Sequence, residues 1–185
     1  MTTANNITMV RMAMIPLFII FALINTKSAN IVALVLFCAA SFTDFLDGYV
    51  ARKYNQITDF GKFVDPLADK LLVTAAMLIF IQHGQMAAWM VFIILAREFI
   101  ITSLRNVAAA KGKVIAAAWS GKVKTCLQIA GIIAIFLVTI TASPYAAPIT
   151  TAAGWIMTIA TLYSGFEYMQ KNWSLVAEGA SKPKA

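Results

Sequence analysis

Five of the eight acidic residues in this chain fall within one stretch, residues 44–69, and long apolar runs lie on both sides of it. The stretch reads DFLDGYVARKYNQITDFGKFVDPLAD. Carboxylates are costly beside hydrocarbon. Acids grouped next to membrane-type sequence therefore mark a site that faces a bundle interior or a water-filled cavity.

The flanking composition sets the class. Of 185 residues, 61% are hydrophobic and 12% charged, against about 25% charged in soluble chains. Mean hydropathy is +0.78. A water-soluble fold of this size cannot hide so much apolar surface, which excludes a soluble domain. Six runs approach the ~20 residues that a spanning helix needs: 9–24, 31–54, 65–83, 86–110, 116–141 and 148–173. The expected fold is all-α, a polytopic membrane protein with six transmembrane helices. Residues 1–173 form a single catalytic domain and 174–185 a polar cytoplasmic tail. Arg11 is the first base and no cleavage site of small residues follows, so the first segment is expected to be retained. Cys38 and Cys126 sit in apolar runs and read as two buried thiols.

Basic residues orient the helices. Arg52, Lys53 and Lys62 lie between the second and third runs, and Arg105, Lys111, Lys113, Lys122 and Lys124 around the junction of the fourth and fifth. Lys171, Lys182 and Lys184 lie at the C-terminal end, whereas Lys27 is the one base on the opposite side. The positive-inside rule puts both termini in the cytoplasm. The net charge of +7 fits loops facing anionic lipid or an anionic substrate, not nucleic acid. His83 and Trp89, Trp155 and Trp173 read as interfacial or packing residues.

In this topology the second helix ends, and the third begins, on the cytoplasmic side. Asp44 and Asp47 then lie roughly 10–15 Å inside the membrane at the helical rise per residue. Their i,i+3 spacing, and the i,i+4 spacing of Asp65 and Asp69, put each pair on one helix face. Four uncompensated carboxylates cannot share one point, because like charges raise one another's pKa. One or two divalent cations resolve the conflict. Oxygen-only ligands suit Mg²⁺, Mn²⁺ or Ca²⁺, and a pair of metals is the usual clamp for phosphoryl chemistry. Gly48 and Ala51 leave room beside the acids, Arg52 supplies a positive partner, and Gly61 allows close approach of the third helix. Asp59, in the connection, reads as solvated or as a helix cap.

The pattern D-x2-D-G-x2-A-R-x8-G-x3-D-x3-D is met in full by Asp44, Asp47, Gly48, Ala51, Arg52, Gly61, Asp65 and Asp69. It resembles the signature of the CDP-alcohol phosphotransferases, membrane enzymes that move a substituted phosphate from a CDP-linked donor to an alcohol and release CMP. The opening NNITMVRMAMIP, the segment AREFIITSLRNVAAAKGKVIAAAWSGKVKT and the late TLYSGFEY resemble the branch that makes phosphatidylglycerophosphate. The resemblance implies CDP-diacylglycerol as donor, sn-glycerol 3-phosphate as acceptor, and a homodimer in the bacterial cytoplasmic membrane with its site facing the cytoplasm. It implies Asp44, Asp47 and Asp65 as metal ligands, and Asp69 as both ligand and general base. Gly48, Ala51 and Arg52 would cradle the cytidine diphosphate. Two Mg²⁺ or Mn²⁺ ions are the implied cofactors.

Arg97 comes near mid-membrane in the fourth helix, a depth at which arginine faces a polar cavity. Arg105 is about 80° round the same helix. Lys122 and Lys124 begin the fifth helix at the same level, about 200° apart. These four are read as a glycerol-3-phosphate site, guanidinium groups binding phosphate bidentately and ammonium groups as point charges. The competing readings are pairing of Arg97 with Glu98, and positive-inside residues for the other three. Thr8 and Arg11 either reach the nucleotide or anchor the first helix in the interface. Ser164 and Tyr168 share one face of the sixth helix, with no role evident from sequence. A cation transporter would also place acids in a membrane, but it has no use for Gly48, Ala51 and Arg52 at those offsets or for an arginine-rich anion site. Within the enzyme class, inositol phosphate, serine and a second phosphatidylglycerol are the alternative acceptors.

Overall fold

The computed structural model describes the backbone of residues 3–53, 59–110, 112, 115 and 118–173, and the side chains of 9–43, 67–68, 70–110, 112, 115 and 118–173. Among the described residues there are six α-helices: α1 (Thr3–Ile24), α2 (Lys27–Lys53), α3 (Asp59–Gln82), α4 (Ala88–Ala110), α5 (Trp119–Ile140) and α6 (Ala146–Lys171). Each matches one of the six apolar runs. The polar segment 174–185 lies outside the described residues.

Three helices start four or more residues earlier than hydropathy suggests. α1 begins at Thr3 rather than residue 9, α2 at Lys27 rather than residue 31, and α3 at Asp59 rather than residue 65. Their first turns are polar, and a hydropathy count registers only where the apolar run begins. Asp59 is therefore the first residue of α3 and not a loop residue. Pro66 sits more than a turn inside the helix, where its nitrogen has no hydrogen to donate. Pro148 lies in the first turn of α6, where that hydrogen would have no partner anyway.

Among the described residues, one helix, Trp119–Ile140, is long and apolar enough to cross a membrane, with mean hydropathy 2.1. Shorter apolar helical stretches are Met9–Ile24, Lys27–Thr43 and Lys70–Gln82. α4 carries Arg97, Glu98 and Arg105 along its length.

The chain divides into two compact units. The first comprises Met1–Gln85 and Ile132–Thr150. Here α1 packs against α2 and α3. Only two residues join α1 to α2, so the helices run back along each other. Asn25 takes the left-handed conformation (φ 52°) that ends α1, a conformation Asn tolerates better than most residues. The amide of Ala29 donates to Thr26 Oγ1, a helix cap for α2. The packed faces follow the helical repeat: Arg11, Ile15, Phe18 and Ala22 on α1, and Ala29, Ala33, Phe37 and Ala40 on α2 are all buried. Phe18 packs on Phe37 and Phe136 at ring-centroid distances of 5.9 Å, and Phe136 on Phe80 at 5.2 Å. Alanines between these rings let the helices approach closely, the usual way to gain dispersion contacts where lipid removes most of the hydrophobic drive.

The second unit comprises Met86–Gly131 and Thr151–Ala185. Glycines again set the spacing. A Cβ on Gly154 would lie 3.1 Å from Met90 Sδ, and one on Gly131 would lie 2.8 Å from Met157 Sδ. Ala153, Met157, Thr161, Ser164 and Tyr168 form the buried stripe of α6. The Thr161 hydroxyl donates to the carbonyl of Met157, and that of Thr158 to Gly154, so these buried polar groups are satisfied within the helix.

One expectation is corrected by these surfaces. Cys38 and Cys126 are free thiols but exposed, not buried; an apolar neighbourhood in sequence does not distinguish a lipid-directed face from the protein interior.

Candidate active site

The acidic motif falls on two helices of the first unit. Asp44, Asp47, Gly48, Ala51 and Arg52 lie in the last part of α2, and Gly61, Asp65 and Asp69 in the first half of α3. The unbroken helices keep positions 44 and 47, and positions 65 and 69, each within about one turn. Thr8 lies in α1. The side chains of all nine residues are outside those described. Among the described residues, no group of three or more His, Cys, Asp or Glu could hold a metal. The four motif positions supply carboxylate oxygens alone, a donor set that fits a hard divalent cation such as Mg²⁺ or Mn²⁺.

Beside this segment, Arg11 has no exposed surface. Its Nε donates to Thr43 Oγ1 across 3.4 Å. The Thr43 hydroxyl in turn donates to the carbonyl of Ala40 at 2.7 Å.

The basic cluster lies in the second unit, and α4, α5 and α6 each contribute to it. Arg97 Nη1 donates to Glu98 Oε1 at 3.1 Å, and its Nη2 donates to Ser164 Oγ on α6 at 2.7 Å. Lys124 Nζ on α5 donates to the same Glu98 Oε1. One carboxylate thus receives two cations, and both are largely withdrawn from solvent, with side-chain exposures of 13% for Arg97 and 5% for Lys124. Pairing with Glu98 and membership of a basic cavity are therefore not alternatives for Arg97. Two positive charges against one negative leave the trio net positive, which suits an anion.

The structure separates the two lysines that spacing alone left undecided. Lys124 is buried and Lys122 exposed. Arg105 is exposed one face round α4, within electrostatic reach of Tyr168. Arg97 and Lys124 meet on Glu98; Arg105 and Lys122 stand further out. Three residues gain roles that sequence reasoning had not assigned. Glu98 joins α4 to α5, Ser164 fixes one arm of the Arg97 guanidinium, and Tyr168 is buried below it on the same stripe of α6. The i,i+4 spacing of Ser164 and Tyr168 carried a partial signal; the reach of Lys124 to Glu98 carried none. Among the described residues, Arg97 Nε, Gln128 Nε2 and the Tyr168 hydroxyl are buried without a hydrogen-bond partner. Orphaned polar atoms of this kind are costly unless a ligand or water completes them.

Known proteins place the chain among relatives. The family model for CDP-alcohol phosphatidyltransferase matches residues 1–164. A CDP-diacylglycerol–glycerol-3-phosphate 3-phosphatidyltransferase from Bacillus subtilis is 44% identical over 181 residues, covering 91% of this chain and 94% of the relative. A probable phosphatidylglycerophosphate synthase from Mycobacterium tuberculosis is 36% identical over 174 residues, covering 91% and 80%. A Salmonella typhimurium protein with the same name as the Bacillus relative is 41% identical over 128 residues, covering 66% and 69%. With the full acidic motif on α2 and α3, and a match that runs from residue 1 to residue 164, the chain belongs to the CDP-alcohol phosphatidyltransferase family.

Proposed function

We propose that this protein transfers the phosphatidyl group of CDP-diacylglycerol to the primary hydroxyl of sn-glycerol 3-phosphate, giving phosphatidylglycerophosphate and CMP. The observation that carries this reading is the complete motif, from Asp44 to Asp69, in a chain 44% identical over nearly its full length to a relative named for that reaction. Family membership removes the cation-transporter alternative.

Asp44, Asp47, Asp65 and Asp69 would hold one or two divalent ions, with Mg²⁺ or Mn²⁺ matching their hard oxygen donors. Bound there, the metal would neutralise charge developing on the phosphoryl oxygens. Gly48, Ala51, Arg52, Gly61 and Thr8 are assigned to the CDP-diacylglycerol site. Asp69 takes the proton of the acceptor hydroxyl, and that oxygen attacks the β-phosphorus. The bond from this phosphorus to the bridging oxygen breaks, and CMP departs with the electron pair. Arg97 and Lys124, held by Glu98 and Ser164, bind the acceptor's phosphate, with Arg105 and Lys122 at the rim. A dianion drawn to that trio exchanges hydration for charge-assisted hydrogen bonds, and serine offers no phosphate to be drawn. Six spans with both termini cytoplasmic, and a homodimer in the bacterial cytoplasmic membrane, complete the proposal. The distribution of Lys and Arg supports the orientation.

The test is CMP release by purified protein in detergent with CDP-diacylglycerol and Mg²⁺. Glycerol 3-phosphate, inositol 1-phosphate and serine are offered separately. Release with glycerol 3-phosphate alone is expected, and release that persists in excess chelator would overturn the metal assignment. Release with another acceptor would keep the chemistry and change the substrate.

A further inference from the structure

We propose that Arg11 is a built-in counter-cation for the acidic end of α2, a positioning residue that lets the carboxylates coexist when no metal is bound. The inference rests on the reading of those acids as a metal site.

Three observations carry it. First, Arg11 is fully buried, and a guanidinium removed from water needs an anionic or strongly polar surrounding to offset its desolvation. One of its hydrogen bonds goes to the neutral Thr43 Oγ1, at 3.4 Å. Second, the contact fixes where Arg11 meets α2. Phe18 opposes Phe37, and about two turns further along the antiparallel pair Arg11 opposes Thr43, the residue directly before Asp44. Third, the buried row of α2 runs through 29, 33, 37 and 40, and the helical repeat brings that row next to position 44. Among the described residues, the buried row of α1 thus carries its cation, Arg11, beside the stretch of α2 that leads directly to position 44.

A fixed cation beside a group of carboxylates does part of what a bound metal does: it lowers their mutual repulsion. With the metal absent, Arg11 carries more of that task; with the metal present, less. Removing its charge should therefore harm the metal-free protein more than the metal-bound one. An ordinary packing role predicts equal harm in both states.

The experiment measures thermal unfolding of the full chain in detergent, in chelator and in saturating Mg²⁺, for wild type, Arg11→Gln and Arg11→Lys. The Mg²⁺-induced rise in Tm should be about 3 °C larger in Arg11→Gln than in wild type, with Arg11→Lys close to wild type. An equal rise in all three proteins would overturn the counter-cation role while leaving the metal site standing. No rise in any of them would overturn the metal site and this inference together. If Arg11→Gln does not fold, Arg11→Gln with Asp44→Asn restores the charge balance and should recover a monodisperse protein; failure of that pair to recover it also overturns the inference.

Discussion

A Cβ placed on Gly165 would stand 2.9 Å from Cγ of Arg97, so the backbone of α6 runs directly against the aliphatic stem of that arginine. The neighbouring residue, Ser164, accepts a hydrogen bond from the same side chain's Nη2. α6 thus fixes Arg97 at two points, stem and fork. Gly165→Ala is expected to push the stem aside at about the 1–3 kcal/mol typical of overpacking. It should raise the KM for glycerol 3-phosphate about tenfold while changing the KM for CDP-diacylglycerol little. Steady-state kinetics with each substrate varied in turn checks this, and equal effects on both would detach Arg97 from the acceptor.

Glu98 holds a cation from its own helix and one from α5. Glu98→Gln removes the charge but keeps the shape, leaving Arg97 and Lys124 facing each other without a carboxylate. Breaking a fully buried pair costs about 3–5 kcal/mol. Glu98 retains 20% side-chain exposure, so a loss of roughly 2 kcal/mol is expected. Adding Lys124→Met should restore part of that loss in a thermal or denaturant melt. A double variant no more stable than the single one would mean that the two residues do not act on each other.

Arg105 is exposed, whereas Arg97 and Lys124 are withdrawn. A rim charge attracts the acceptor without being desolvated by it. Arg105→Ala should raise the acceptor KM by several-fold, about 1 kcal/mol, and more than it raises the donor KM. The effect should shrink as salt is added, because exposed charges are screened. For the lysines the order should follow burial, with Lys124→Met exceeding Lys122→Met.

Asp69→Asn keeps the volume and removes the base. CMP release is expected to fall by at least about 10²-fold, the lower end of what positioned proton transfer contributes. The elution profile in detergent should not change. Near-wild-type turnover would rule out Asp69 as the proton acceptor.

The six helices were legible because each contains an apolar run, and their polar first turns were not, because nothing apolar announces them. The first turns of α1, α2 and α3 are the places where this mattered. Rotation about each helix axis was legible only where a buried stripe was long enough to read. In α6 the spacing of Ser164 and Tyr168 put both on one face without saying which way it turned; that face is buried. In α5 charge counting could not choose between Lys122 and Lys124, since the choice depends on a carboxylate from another helix. The cysteines misled for a related reason: where lipid replaces water, apolar sequence is compatible with both faces. The acidic motif was legible as chemistry, through residue type and offset, while its side chains lie outside the described residues.

The single carboxylate of Glu98 also ties together two positions far apart in the gene. Lys124 lies on the next helix, and a substitution that removes the Glu98 carboxylate makes its buried ammonium costlier to keep. Lineages of this protein should therefore change residues 98 and 124 in step, or not at all. Arg97, with Ser164 as its second support, leaves its neighbours freer to drift.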